Sequence, residues 1–257
     1  MDSAILTTAD LARDFDGFRA VDGVDLTIRR GTITGLIGPN GAGKTTLFNL
    51  LTGTLRPSAG TIALNGTDVT GLTPDRLFAA GMGRTFQLPR PFARMTVLEN
   101  LMLAPIGQAG ETILGPFLSR AAVRAQESHI RARAEEVLDF VTLLPLADHP
   151  AGQISGGQMK LLELARVLMG DPELILLDEP AAGVNPTLTG VLIEKIEELN
   201  RQGKTFLVIE HDMDFVMRHC TPVIVLVDGR VVFEGTPEQA QANPVLLDAY
   251  LGAKADA

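Results

Sequence analysis

Nine consecutive residues have the types and spacing to hold a polyphosphate: Gly38-Pro39-Asn40-Gly41-Ala42-Gly43-Lys44-Thr45-Thr46. They fit the pattern G-x-x-x-x-G-K-[ST]. The glycines let backbone N–H groups turn inward toward an anion. A helix that starts at the end of the loop adds partial positive charge at the same point. Lys44 supplies a full positive charge for the outer phosphates, and the Thr45 hydroxyl is a ligand for Mg²⁺. The stretch predicts nucleoside triphosphate binding.

Further residues suit the chemistry of such a ligand. Leu174-Ile175-Leu176-Leu177 is a short apolar run that ends in Asp178-Glu179-Pro180. It reads as a fully buried parallel strand, with two carboxylates at the end where α/β sheets bind ligands. Asp178 would hold Mg²⁺ through water, and Glu179 would orient or deprotonate the attacking water. A second buried run, Thr205 to Ile209, ends in Glu210-His211-Asp212; taken alone His211 reads as structural, and at a strand end in a phosphate-loop protein it reads instead as a residue that can reach a γ-phosphate. Ser155 is a natural helix N-cap, followed by Gly156, Gly157 and Gln158. Two glycines at a helix start cost stability, and their use is to offer backbone N–H groups to a closely approaching phosphate. Phe15 has two readings, a strand core residue or a stacking surface for adenine, and Phe18 competes for the second. Gln87, between an apolar strand end and Pro89, reads as a hinge. His129, His149 and His219 have no partner pattern and are assigned no chemistry.

These residues need elements to position them. Ile33 to Ile37 and Leu47 to Leu51 flank the loop as strand and helix. Residues 4–33 alternate in hydropathy, with Gly17, Gly23 and Gly31 as punctuation, and predict antiparallel strands. Residues 59–70 add a hairpin strand with an Asn65-Gly66 turn. Residues 95–150 read as helical, with Thr96 and Glu99 forming a capping box. Leu161, Leu164, Ala165 and Leu168 make one apolar helix face. Val223 to Val227, Asp228-Gly229 and Arg230 to Phe233 predict a strand pair, and Pro237 to Leu251 a short amphipathic helix or two.

Composition narrows the class. The chain has 257 residues, 46% of them hydrophobic, which suits one large α/β domain or a core with one inserted subdomain. A net charge of −9 argues against a general nucleic-acid surface. The lone Cys220 rules out an internal disulfide framework and reads as an inert core thiol. No apolar run reaches the roughly 18 residues that span a bilayer, and the N-terminus lacks the basic start of a secretion signal. The expectation is a soluble, cytoplasmic protein that meets a membrane only through a partner.

The order of phosphate loop, Gln87, Ile154-Ser155-Gly156-Gly157-Gln158, Leu176-Leu177-Asp178-Glu179-Pro180 and His211 resembles the ATP-binding subunits of ABC transporters. The resemblance covers nearly the whole chain. It is closer still to the branched-chain amino acid uptake ATPases of the Liv type, through Gly83-Arg84-Thr85-Phe86-Gln87, Glu179-Pro180-Ala181-Ala182-Gly183 and Ile209-Glu210-His211-Asp212-Met213. The resemblance implies an α/β phosphate-loop NTPase (RecA-like) core, an antiparallel β subdomain and an inserted all-helical subdomain. One ABC ATPase domain would span 1–257. Residues 1–90 would hold the β subdomain and the first part of the core, and 91–165 the helical subdomain with the Ser-Gly-Gly-Gln signature. Residues 166–235 would complete the core, and 236–257 form a helical tail.

Carried over by position, the resemblance stacks Phe15 on adenine and gives the phosphates to Gly38–Thr46. It surrounds Mg²⁺ with Thr45, Gln87 and Asp178, makes Glu179 the catalytic carboxylate, and makes His211 the γ-phosphate switch. Ser155, Gly156, Gly157 and Gln158 would close on nucleotide held by a second subunit, identical or related. ATP hydrolysis would drive transmembrane permease subunits at the cytoplasmic face, served by an extracytoplasmic binding protein. Three positions depart from the broader pattern: Phe15 for the commoner tyrosine, Ile154 for leucine, and Asn185 for an aspartate. Rival readings are a urea or amide importer subunit, suggested by Phe15-Asp16-Gly17-Phe18, a lipopolysaccharide-type exporter ATPase, and a nucleic-acid-associated ABC ATPase.

Overall fold

The computed structural model describes residues 3–85, 90–105 and 120–243, with the side chains of 120–122 excluded. The chain forms two compact units. The first comprises Met1–Arg84, Glu173–Pro180 and Glu197–Ala257, and the second Thr85–Pro172 and Ala181–Ile196.

The first unit holds two sheets. A four-stranded sheet in the order β2-β1-β4-β5 consists of β1 (Ala4–Phe15), β2 (Phe18–Arg29), β4 (Ala59–Leu64) and β5 (Thr67–Asp68). Its pairings are antiparallel. The Asn65-Gly66 turn has both residues at positive φ, 52° and 75°, which matches the twist of a two-residue hairpin. Asp16-Gly17, between β1 and β2, does the same at 43° and 93°.

The second sheet has the order β10-β9-β3-β8-β7-β6. Its strands are β3 (Ile33–Ile37), β6 (Met82–Arg84), β7 (Leu174–Asp178), β8 (Thr205–Ile209), β9 (Val223–Val227) and β10 (Arg230–Gly235). β10 is antiparallel to β9, and the other pairings are parallel. Every residue of β3, β7 and β8 is buried, as their unbroken apolar runs require. Register aligns Leu36 with Ile209 and Ile209 with Asp178, so three parallel strands end at one edge. The residues that follow these ends are Gly38, Glu179 and Glu210-His211. The sequence expectation for these strands is met, and parallel pairing is what brings the dispersed motifs together.

Helix α1 (Lys44–Leu51) leaves the phosphate loop with Leu47, Phe48, Leu50 and Leu51 buried. These pack into one core with Ile5, Leu6, Leu11, Leu36, Leu176 and Leu207. Helix α2 (Pro74–Ala79) follows the first sheet.

The second unit is helical in its described part: α3 (Val97–Met102), α4 (Arg120–Phe140) and α5 (Gly156–Leu168). The capping box expected at Thr96 and Glu99 is present in both directions, at 3.1 and 2.8 Å. Helix α6 (Pro186–Arg201) passes from the second unit into the first at residue 197. Helices α7 (Met213–His219) and α8 (Pro237–Gln241) complete the first unit, and the rest of the expected tail lies outside the described residues.

Candidate functional site

The phosphate loop follows β3 and turns into α1 through Gly43. Gly43 is the N-cap of α1, in the left-handed region at φ 94°, and no side chain caps the helix. The first-turn N–H groups are therefore left for an external acceptor. A Cβ on Gly43 would lie 2.3 Å from the Ala20 carbonyl oxygen, and one on Gly38 would lie 2.1 Å from that of Leu226. Glycine is required at both because the loop is pressed against neighbouring backbone. The Asp228-Gly229 turn between β9 and β10 fixes it further: Gly229 N–H donates to the Ala42 carbonyl at 3.0 Å, and the Gly229 carbonyl accepts from Asp22 N–H at 2.9 Å.

Lys44 folds back over the loop, with Nζ donating to the carbonyls of Gly38 (2.6 Å) and Pro39 (2.9 Å). Burial holds its ammonium below the ordinary lysine value, and the Glu179 carboxylate acts in the opposite direction. Asn40 to Thr46, together with Phe18, Ala20, Glu179 and Ile209, line a cleft of about 250 Å³. Backbone donors, one lysine and one carboxylate share this wall. The donor set fits a polyphosphate, and the side-chain oxygens of Thr45 and Asp178 are of the hard type that would suit a cation taking further ligands from phosphate and water. Among the described residues there is no group of three or more His, Cys, Asp or Glu placed to hold a metal ion.

Asp178 is buried and paired with Arg84. Glu179 sits one residue later, at the rim of the cleft. Its φ of +46° places a non-glycine residue in the left-handed region, held there by its N–H donating to the Ile209 carbonyl at 3.0 Å. This geometry turns the Glu179 side chain away from the strand's alternation. His211 Nδ1 lies 3.5 Å from Glu179 Oε1, and the ring is largely exposed. Asp212 acts on the helix instead. Its carboxylate accepts from the N–H groups of Asp214 (2.9 Å) and Phe215 (3.3 Å) and caps α7.

The aromatic candidates are cross-strand partners, Phe15 opposite Phe18, across the Asp16-Gly17 turn. Phe18 lines the cleft. Phe15 carries the Arg13 guanidinium over its ring at 4.7 Å. Gln87 lies outside the described residues.

The signature residues fall in the second unit. Ser155 Oγ accepts from Gln158 N–H at 3.3 Å, and Gln158 Oε1 accepts from Ser155 N–H at 2.8 Å, so the N-cap is a full capping box. The two glycines differ. Gly156 is exposed with open space where a Cβ would stand, whereas on Gly157 it would meet Leu188 Cδ1 at 2.5 Å and Val184 Cγ1 at 3.0 Å. Gly157 has a packing reason, which spacing alone does not reveal. Gly157→Ala is therefore expected to destabilise the fold by about 1–3 kcal/mol through overpacking, with Gly156→Ala within about 1 kcal/mol of wild type. Thermal unfolding of the two variants checks the difference. Asn185 also gains a role: its Oδ1 accepts from Leu188 N–H at 2.9 Å at the start of α6, a capping contact that an amide makes without a charge. Cys220 is buried, its thiol pushed up to about 12 by desolvation, and it packs where a side chain on Gly35 would stand.

Comparison with known proteins gives a consistent result. The sequence profile described as ABC transporter matches residues 21–182. The chain is 41% identical to a probable branched-chain amino acid transport ATP-binding protein, LivG, of Archaeoglobus fulgidus, over 97% of this chain and 96% of that one. It is 41% identical to the high-affinity branched-chain amino acid transport ATP-binding protein LivG of Escherichia coli, over 98% and 99% of the two chains. A nucleotide-free ATP-binding cassette from an ABC transporter superposes with a TM-score of 0.85 at 37% identity, covering 96% of this chain and 99% of the other. A cassette in its ADP conformation gives 0.84 at 37% identity, covering 97% and 99%.

Proposed function

Because the chain belongs to the ABC transporter family, we propose that it is the ATP-hydrolysing subunit of an importer for branched-chain or related amino acids. The observation that carries the catalytic half is the convergence of three parallel strand ends on one cleft. They bring the phosphate loop, Asp178-Glu179 and His211 together. The names of relatives matched over nearly their full length support the transported class.

In this reading the backbone N–H groups of residues 40–46 and the Lys44 ammonium bind the phosphates and hold the γ-phosphoryl group in place. Thr45, Gln87 and Asp178 would hold Mg²⁺, which would supply neutralisation of the charge that develops on the phosphate oxygens. Glu179 takes a proton from a water whose oxygen bonds to the γ-phosphorus while the bond from that phosphorus to the β–γ bridging oxygen breaks, giving ADP and inorganic phosphate. His211, beside Glu179, orients that carboxylate and contacts the γ-phosphate. Phe15 and Phe18 form the platform for the adenine. Replacing both by Ala is expected to weaken ATP binding about 5- to 100-fold, the range for loss of base stacking, and to leave tripolyphosphate binding within about twofold. Competition titrations against a fluorescent nucleotide check this, and the single variants show how the two rings share the stacking.

Ser155, Gly156, Gly157 and Gln158 act on nucleotide held by another ATP-binding subunit, through the exposed helix start at Gly156. No helix among the described residues is long and apolar enough to cross a membrane. In this reading the chain acts peripherally, on the cytoplasmic side, through permease subunits that carry the substrate path. Reconstituting it in vesicles with its permeases and binding protein tests the transported class. ATP-dependent uptake of labelled leucine is expected, and uptake of urea in its place overturns the amino acid reading.

A further inference from the structure

We propose that Arg84 is a positioning residue for the metal carboxylate Asp178, locking it to the far end of the helix that leaves the phosphate loop. Arg84 ends β6, level with Leu176 of β7. Its Nη2 donates to Asp178 Oδ2 at 3.1 Å, with both side chains mostly buried. Its Nη1 donates to Asn49 Oδ1 at 2.7 Å, Thr52 Oγ1 at 2.9 Å and Thr54 Oγ1 at 3.3 Å. The guanidinium carbon stands 5.2 Å from the centre of the Phe48 ring. Asn49 and Phe48 belong to α1, and Thr52 is its C-cap.

One planar group thus grips two structures. One arm fixes a carboxylate oxygen of Asp178. The other fixes the last turn of α1, whose first turn carries Thr45. A planar fork on a ring face suits this double grip, and an ammonium, with its single nitrogen, cannot span both sides. The pair fixes the rotation of the Asp178 carboxylate in a buried place. Outer contacts of this kind set metal affinity by orienting the ligand. Mg²⁺ has strict demands on ligand placement, so a free-swinging Asp178 holds it poorly.

The inference rests on the proposed metal role of Asp178, and the test separates the two. The affinity of a fluorescent ADP is measured in EDTA and in Mg²⁺, and the ratio gives the gain due to metal. Electron paramagnetic resonance of Mn²⁺ with ADP reads the metal site without turnover. Arg84→Met is expected to cut the metal-dependent gain by about 10- to 100-fold, with affinity in EDTA within about twofold. Arg84→Lys is expected to restore only part of the gain. In an Asp178→Asn background, Arg84→Met should add no further loss, because the effect passes through that carboxylate. A full metal gain in Arg84→Met, or an equal loss in the Asp178→Asn background, overturns the inference. If Arg84→Met does not fold, Arg84→Lys decides on the same comparisons. An Asp178→Asn chain with its full gain removes Asp178 from the metal, which sinks the underlying reading instead.

Discussion

Glu179→Gln is expected to lower ATP turnover by about 10²–10⁴-fold, the range for loss of a positioned general base, with ATP affinity within about twofold of wild type. The substitution keeps the shape and the backbone, and removes only the charge and the basicity. Glu179 is the carboxylate that lines the cleft beside Lys44 and stands 3.5 Å from His211. Asp178 cannot substitute, because it is buried and paired with Arg84. Turnover close to wild type would remove Glu179 from its proposed role. The backbone adds a second expectation. Glu179 has a φ of +46°, a conformation that asparagine tolerates better. Glu179→Asn should therefore be inactive and yet unfold at the same temperature as wild type or above it. A large loss of stability in that variant would contradict the strain reading.

Gly43→Ala is expected to weaken ATP binding by at least about 100-fold and to destabilise the fold by about 2–4 kcal/mol. A new Cβ would stand 2.3 Å from a backbone oxygen of Ala20, which cannot rotate away as a side chain would. The left-handed φ of 94° adds strain of its own. Relief requires the loop to lift from β2, which turns the N–H groups of residues 44–46 away from the phosphates. Gly41→Ala is the control. Its φ of 82° carries the strain, but its Cβ would meet open space. It should cost only about 1–2 kcal/mol. Equal effects at the two positions, by calorimetry and nucleotide titration, would contradict the steric argument.

Features fixed within a few residues were legible in the sequence. The Thr96/Glu99 capping box, the Asn65-Gly66 and Asp228-Gly229 turns and the buried strands 174–178 and 205–209 all appear where local chemistry requires them. Features that depend on distant backbone were not. Nothing near Arg84 in sequence announces partners at Asn49, Thr52 and Asp178, since they meet only after β6 pairs with β7. The difference between Gly156 and Gly157 comes from Val184 and Leu188, on a different segment. The left-handed backbone of Glu179 follows from its bond to Ile209, and Glu179 looks like any acid at a strand end until that neighbour is placed. The choice between Phe15 and Phe18 as the base platform was open in the sequence, and the two-residue turn that makes them cross-strand partners is what places both rings near that role.

The central claim is that the cleft is half of a site, completed by the signature residues Ser155–Gln158 of a second subunit. Light scattering of the Glu179→Gln chain at saturating Mg²⁺-ATP tests it most directly. Hydrolysis is blocked in that variant, so the expected result is twice the monomer mass with ATP, the monomer mass with ADP, and the monomer mass with ATP once Ser155 is also replaced by Arg. A monomer mass at saturating Mg²⁺-ATP, from protein shown to bind the nucleotide, would contradict it.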